Sequence, residues 1–440
     1  MKSYDKKVLD LSMEAGRILL DAGAEIFRVE ETIERISRAF GIEKCSPFVM
    51  STGIFLTAEN EEGEIYASVK HIPIQGAKLY RVAAVNQLSR EIVEGKYTLE
   101  EAEERLEIIK NMPGKRPLVR ILSAGLGSGS FCYLLGGKFT DMFAAFLSGV
   151  LLYAILVLID KREKKTSKIV VNCIGGFCVS LFAVLFYRLG LGNAPGKILV
   201  GSVMPLVPGV SLVNAVRDFA EGNYIGGGVR FLDQPGGPRL IGSTAVYGTR
   251  RSAFFGCPYG GSGNFSGRGS DVYFILSLDG RNYLMIWEWL LQFLAAGFGT
   301  MAFSVLFSVP REHYPLCGFI GGAGWFICWG MINIFHTGAV EANFAATVFI
   351  TLASRIGSTV KKCPVTLFLI AGIFPEVPGI GIYRTIYYSM LDNRELSLHY
   401  GRETLGIAIA MVLGIILVFE IPQKTINRVF GKNRKACGSF

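Results

Sequence analysis

One carboxylate in this sequence sits where a carboxylate is costly. Glu376 lies between Pro375 and Pro378, inside the apolar run 365–383. An ionisable group at bilayer depth costs ~2.5–3.5 kcal/mol on insertion scales, so it needs a chemical reason. Two fit: alternation between protonated and ionised states, or contact with the cationic group of a solute. The residues around it recur. Pro375-Glu-Val-Pro378-Gly379 is matched 170 residues earlier by Pro205-Leu-Val-Pro208-Gly209, and each is followed by an aliphatic, a small and an aliphatic residue. Proline in a helix removes a backbone donor and frees the carbonyl four residues back. Helices broken at matching mid-membrane positions in two halves are a pointer to a carrier's substrate site, where free carbonyls and half-helix ends meet the solute.

Further polar residues join this set. Asn214, Arg217 and Asp218 end the first broken run, while Asp141, Glu288 and Glu341 lie early in other apolar runs, where interfacial snorkelling is the plain reading. Asn172, Asn333 and Asn343 are candidates for hydroxyl recognition. The candidate pathway therefore comprises Pro205, Pro208, Gly209, Asn214, Arg217, Asp218, Glu341, Pro375, Glu376, Pro378 and Gly379.

The elements that must hold these residues are membrane helices. Of 440 residues, 50% are hydrophobic and 18% charged, below the quarter usual in soluble domains, and mean hydropathy is +0.39. Nine runs are long enough to cross ~30 Å of hydrocarbon as helices: 118–136, 139–159, 169–189, 195–216, 284–309, 316–335, 339–357, 365–383 and 403–421. The 170-residue offset carries the starts at 118, 169 and 195 close to those at 284, 339 and 365, and the second run fits less well. Two homologous halves follow, 117–282 and 283–425. The basic loop from Lys161 to Lys168 predicts a cytoplasmic position, and with it a cytoplasmic N-terminal domain. Arg355, Lys361, Lys362 and the basic tail 426–440 belong inside on the same rule, which requires a tenth crossing between Arg217 and Leu284. Five spans per half is an odd number, so the halves are expected to be inverted repeats. The net charge of +9 is thus accounted for by the membrane rather than by nucleic acid.

Residues 1–116 read as a small α+β domain. An apolar stripe from Val8 to Phe40 describes a long helix with a candidate break at Gly23; two β-rich runs, 47–57 and 64–72, and two helices follow, the second opened by a Thr98/Glu101 capping box. Ser51, Cys45 and His71 have no nucleophile or metal motif around them, and the nine cysteines lack zinc-type spacing. The expectation is a regulatory or scaffolding domain, not an enzyme, and no cofactor. No signal peptide is read at the start.

With these residues in place, the chain resembles the threonine/serine exporter family. Leu20-Asp-Ala-Gly23-Ala24-Glu-Ile-Phe-Arg28-Val29-Glu30 and Ser51-Thr-Gly53 are similar to that family's cytoplasmic domain. Pro208-Gly209, Asn214, Arg217-Asp218 and Gly222 are similar to its first membrane half, and residues 284–425 to its second. The resemblance implies proton-driven export of small hydroxy amino acids across the cell membrane, with a dicarboxylate as the alternative substrate, a lipid bilayer around the chain and homo-oligomers left open. A channel and a membrane sensor are the rival classes; no repeated filter sequence favours the first, and paired broken helices are superfluous in the second. The chain departs from the family from 233 to about 282. Residues 234–282 are rich in Gly, Ser, Pro and Arg where a fifth span is due, and read as a reading-frame shift in the gene, with a diverged extramembrane loop as the alternative.

Overall fold

The computed structural model describes residues 3–50, 52–59, 63–72, 78–162, 168–206, 281–422 and 425. The apolar stripe at the start forms α1 (Ser3–Asp21) and α2 (Ile26–Ala39). They are separate because Gly23 takes φ 81°, a left-handed conformation that penalises any residue with a Cβ. Gly23 and Ala24 then donate back to the Leu20 and Leu19 carbonyls at 3.1 and 3.0 Å, satisfying acceptors the helix end leaves over. Strands β1 (Lys44–Met50), β2 (Gly53–Glu59) and β3 (Ile65–His71) form an antiparallel sheet in that order, with Phe48 opposite Phe55 and Phe55 opposite Val69. Their alternation buries Val49, Ile54 and Leu56 in one core with α1 and α2. Helices α3 (Leu79–Val93) and α4 (Leu99–Lys110) complete the domain. The capping box forms as read: Thr98 Oγ1 accepts from Glu101 N–H at 3.4 Å, and the Glu101 carboxylate accepts from Thr98 N–H at 2.9 Å.

Glu14 ties this domain together, pairing with Arg17 at 2.6 Å, Lys70 at 3.3 Å and Lys110 at 3.6 Å. Burial opposes its ionisation, but Arg17 and Lys70 outweigh that and hold its pKa at about 2, below the ordinary 4.5. A lowered folded value gives stability that is present above pH 4.5 and lost as the pH falls through about 2. Glu14→Gln should therefore unfold at lower temperature than the wild type at neutral pH, and the gap should close on acidification. A gap that is the same at every pH would assign the effect to packing instead.

Past the linker come α5 (Pro117–Leu134), α6 (Phe139–Arg162), α7 (Lys168–Arg188) and α8 (Pro195–Val203), and then α9 (Arg281–Leu306), α10 (Tyr314–Asn333), α11 (Ala339–Lys361), α12 (Thr366–Gly372), α13 (Gly379–Met390) and α14 (Arg394–Phe419). Five of the described helices are long and apolar enough to cross a membrane, six when the bent pair α12–α13 is taken as one span. The last begins at Arg394, nine residues before the apolar run, because Asn393 caps it by accepting from Leu396 N–H at 3.1 Å.

Small residues set the helix contacts, since lipid offers no hydrophobic drive between helices. A Cβ on Gly297 would stand 3.2 Å from the Gly318 carbonyl, one on Gly322 2.9 Å from that of Phe293, and one on Gly129 3.0 Å from that of Met142. Helices α5 and α9 meet where Gly127 faces the Phe303 ring and Gly299 faces Ser130.

The N-terminal α+β domain docks on one end of this bundle. Leu79 and Tyr80, the first two residues of α3, donate to the carbonyls of Phe307 and Ser308 just past α9, at 3.2 and 3.0 Å. The orphan donors of one helix start thereby satisfy the orphan acceptors of another helix end. Arg90 donates to the Lys362 carbonyl at 3.3 Å, and the Lys115 ammonium lies 5.3 Å over the Tyr314 ring.

Arg355, counted from the sequence among the cytoplasmic charges, lies within α11. It is 4% exposed inside the bundle, donates to the Val418 carbonyl and lies 5.5 Å over the Phe419 ring. The end of α14 supplies the acceptor that lets the guanidinium be buried.

Candidate functional site

Helices α8 and α12 each end in a short 3-10 turn that holds a proline. Helix α8 passes into a 3-10 turn at Met204–Leu206, and α12 is followed by one at Phe374–Glu376. Pro205 and Pro375 occupy the middle of the two turns. After the second turn, Val377 is extended (ψ 126°), the conformation that a following proline demands, and Pro378 caps α13. The chain bends 44° there. Gly379 is the first residue of α13 and donates to the Val377 carbonyl at 2.7 Å. Pro208, Gly209, Asn214, Arg217 and Asp218 lie outside the described residues, as do the predicted fifth span, all but the last residues of 234–282 and the basic tail.

The two turns share an apolar cluster. Met204 and Phe374 pack with Phe131 of α5 and Phe303 of α9. Phe303 stacks on Phe374 at 3.8 Å, and Phe131 meets Phe374 edge-on at 5.5 Å. Two residues beyond, Glu376 is 4% exposed, and neither carboxylate oxygen has a hydrogen-bond partner among the described residues. A Cβ on Gly324 of α10 would be 3.9 Å from its Oε1, with Ile350 of α11 in the same contact. The Cys328 thiol, one turn along α10, is also beside it. A buried carboxylate with two empty acceptors needs a proton or a cation.

The other sequence candidates are elsewhere. Glu341 is exposed in the first turn of α11, nine residues and about 13 Å along the axis from Ile350. Asn333 is exposed at the end of α10 and donates to the Trp329 carbonyl, and Asn343 donates to that of Ala339, so both amides serve their own helices. Asp141 is 1% exposed and accepts from the N–H groups of Lys138, Asn193 and Ala194, fixing the loop that starts α8.

The family description "Putative threonine/serine exporter" matches residues 10–234, and "Threonine/Serine exporter, ThrE" matches residues 292–421. The chain belongs to the threonine/serine exporter family. It is similar along 93% of its length to a threonine/serine exporter of Corynebacterium glutamicum, at 22% identity and covering 81% of that protein. A probable threonine/serine exporter of Mycobacterium tuberculosis is 21% identical over 94% of this chain and 76% of its own. A probable succinate transporter subunit, YjjP, of Klebsiella aerogenes is 28% identical over 50% of this chain and 85% of its own. No solved structure matches. Neither family match of this exporter-family chain reaches residues 235–291.

Three polar residues near the break of this exporter-family protein were not singled out in the sequence. Gln292 of α9 accepts from the Trp325 indole N–H at 3.0 Å. Arg384, five residues into α13, lies 5.1 Å over the Tyr400 ring. Its signal was plain, a lone charge just beyond the apolar run; Gln292 and Trp325 gave none, because neither type is unusual in a membrane helix.

Proposed function

We propose that this protein exports threonine, serine and similar small amino acids across the cytoplasmic membrane by secondary active transport, in exchange for protons. The observation that carries this reading is the unpartnered, buried carboxylate of Glu376 beside a helix break. A proton and a substrate ammonium each supply the missing positive charge, and one carboxylate accommodates one of them at a time. Substrate moving outward and a proton moving inward then use the same group in turn, which is the logic of antiport. The relatives that span nearly the whole chain bear threonine/serine exporter names, which favours amino acids. The succinate names attach to relatives that match half of the chain and support the dicarboxylate alternative. Counterflow in proteoliposomes with a panel of amino acids and dicarboxylates decides between them. A channel would ignore an imposed proton gradient, and a sensor would move nothing.

The same reading places the soluble domain and the C-terminal tail in the cytoplasm. It is supported by the basic loop 161–168 and by the contacts of α3 with the end of α9 and of Arg90 with the end of α11. α5 starts at the soluble domain whereas α9 ends there, as inverted five-span halves require. A cysteine replacing Phe335, 73% exposed in the opposite loop, should react with an impermeant maleimide in intact cells. One replacing Glu94 should react only after lysis. The reverse pattern would overturn the orientation. The stretch that neither family match reaches overlaps the atypical 234–282, which supports a shifted reading frame there; an apolar segment of about 20 residues should appear in another frame of the gene.

A further inference from the structure

The Trp325–Gln292 pair has a fixed polarity. An indole N–H can only donate, so the amide oxygen of Gln292 must be the atom that faces it. The Nε2 group, with two N–H donors, is therefore turned away from Trp325. Gln292 is 8% exposed, and Trp325 is its only hydrogen-bond partner among the described residues. The tryptophan holds a donor-only group ready inside the bundle.

Gln292 lies one helical turn from Ala296, which packs in the same cluster as Phe374, two residues before Glu376. Gly324 and Cys328 face Glu376, and Trp325, between them on α10, packs its ring into the cluster of Met204 and Phe374 at the two breaks. The polar set also belongs to one half. At the positions 170 residues earlier, Glu376 and Gln292 are replaced by Leu206 and Leu122. A tie needed merely to join two helices would suit either half. Departure of Glu376 and Gln292 together marks a single chemical unit.

We propose that Gln292 donates to the substrate carboxylate and that Trp325 is the positioning residue that orients it, so that the site selects zwitterions with ammonium on Glu376 and carboxylate on Gln292. The proposal rests on the amino-acid reading above and deepens it: a dicarboxylate would set its second carboxylate against Glu376, a like-charge contact that the site disfavours. The fixed amide, not a mobile charge, reads the acid group.

The test uses the full chain in proteoliposomes, with L-threonine, L-threonine amide and succinate as probes. Gln292→Leu should raise KM for threonine about 10–100-fold, the worth of a hydrogen bond to a charged group, with kcat little changed. Threonine amide, which lacks the carboxylate, should be carried poorly by the wild type and be insensitive to this substitution. Trp325→Phe keeps the ring and removes the donor, so it should raise KM for threonine by a smaller factor. Should Gln292→Leu fail to insert, Trp325→Phe and the wild-type preference for threonine over its amide carry the same test. An unchanged KM in both variants, or equal losses for threonine and its amide, would make the pair a structural tie and overturn the proposal. A wild type that carries succinate and neither hydroxy amino acid would overturn the amino-acid reading and this proposal together, whereas threonine transport untouched by the variants would overturn this proposal alone.

Discussion

Glu376→Gln should abolish gradient-driven efflux of threonine while leaving a residue of slow exchange. The amide keeps the volume and an acceptor oxygen but cannot take up and release a proton, so the step that returns the empty site no longer depends on the gradient. It also withdraws the negative charge from the substrate ammonium. A hydrogen bond to a charged partner is worth about 1.5–3 kcal/mol, so affinity should fall by roughly 10- to 100-fold. Folding should not suffer, because neither carboxylate oxygen has a hydrogen-bond partner among the described residues. Efflux from loaded proteoliposomes with and without an imposed proton gradient is the measurement, with Glu376→Asp as the charge-keeping control. If the Gln variant still follows the gradient as the wild type does, another group carries the proton, and Glu376 leaves the mechanism.

How far the sequence disclosed this arrangement depends on the kind of signal each residue gave. Helix positions were legible because lipid imposes a single rule, that apolar runs must pair their own backbone groups, and the described helices follow the predicted runs closely. Glu376 was legible for the complementary reason, as a charge where the rule forbids one. The two proline motifs were legible as well, and Pro205 and Pro375 each sit in a 3-10 turn, at the end of α8 and of α12. Contacts between helices were hidden. Nothing local in Gln292 or Trp325 announces that they meet across α9 and α10, and the burial of Arg355 was hidden because its acceptor, the Val418 carbonyl, is far along the chain. The docking of α3 on α9 was equally invisible, since it is made by backbone donors that every sequence possesses.

Replacing Pro378 by Ala should lower transport more than tenfold while leaving membrane insertion near normal. Two features hold the break open. Pro378 lacks the N–H that would donate to the Phe374 carbonyl in a continuous helix, and its ring keeps Val377 out of the helical region, at ψ 126°. Alanine removes both and has the best helix propensity of any residue; in a helix interior the difference from proline is about 3 kcal/mol. Pro375 stays in its turn, so α12 and α13 should straighten in part and lose some of the 44° angle between them. Straightening turns the Glu376 side chain about the helix axis, away from Gly324 and Cys328, and pairs backbone carbonyls that the bend leaves available to a solute. The effect should be on kcat and KM together, because both the site and the motion that exposes it depend on the bend. A Gly379→Ala variant, which leaves the proline in place, is the comparison and should retain most of the activity. Wild-type rates in Pro378→Ala, measured at equal amounts of inserted protein, would reduce the proline to a kink that its neighbours satisfy.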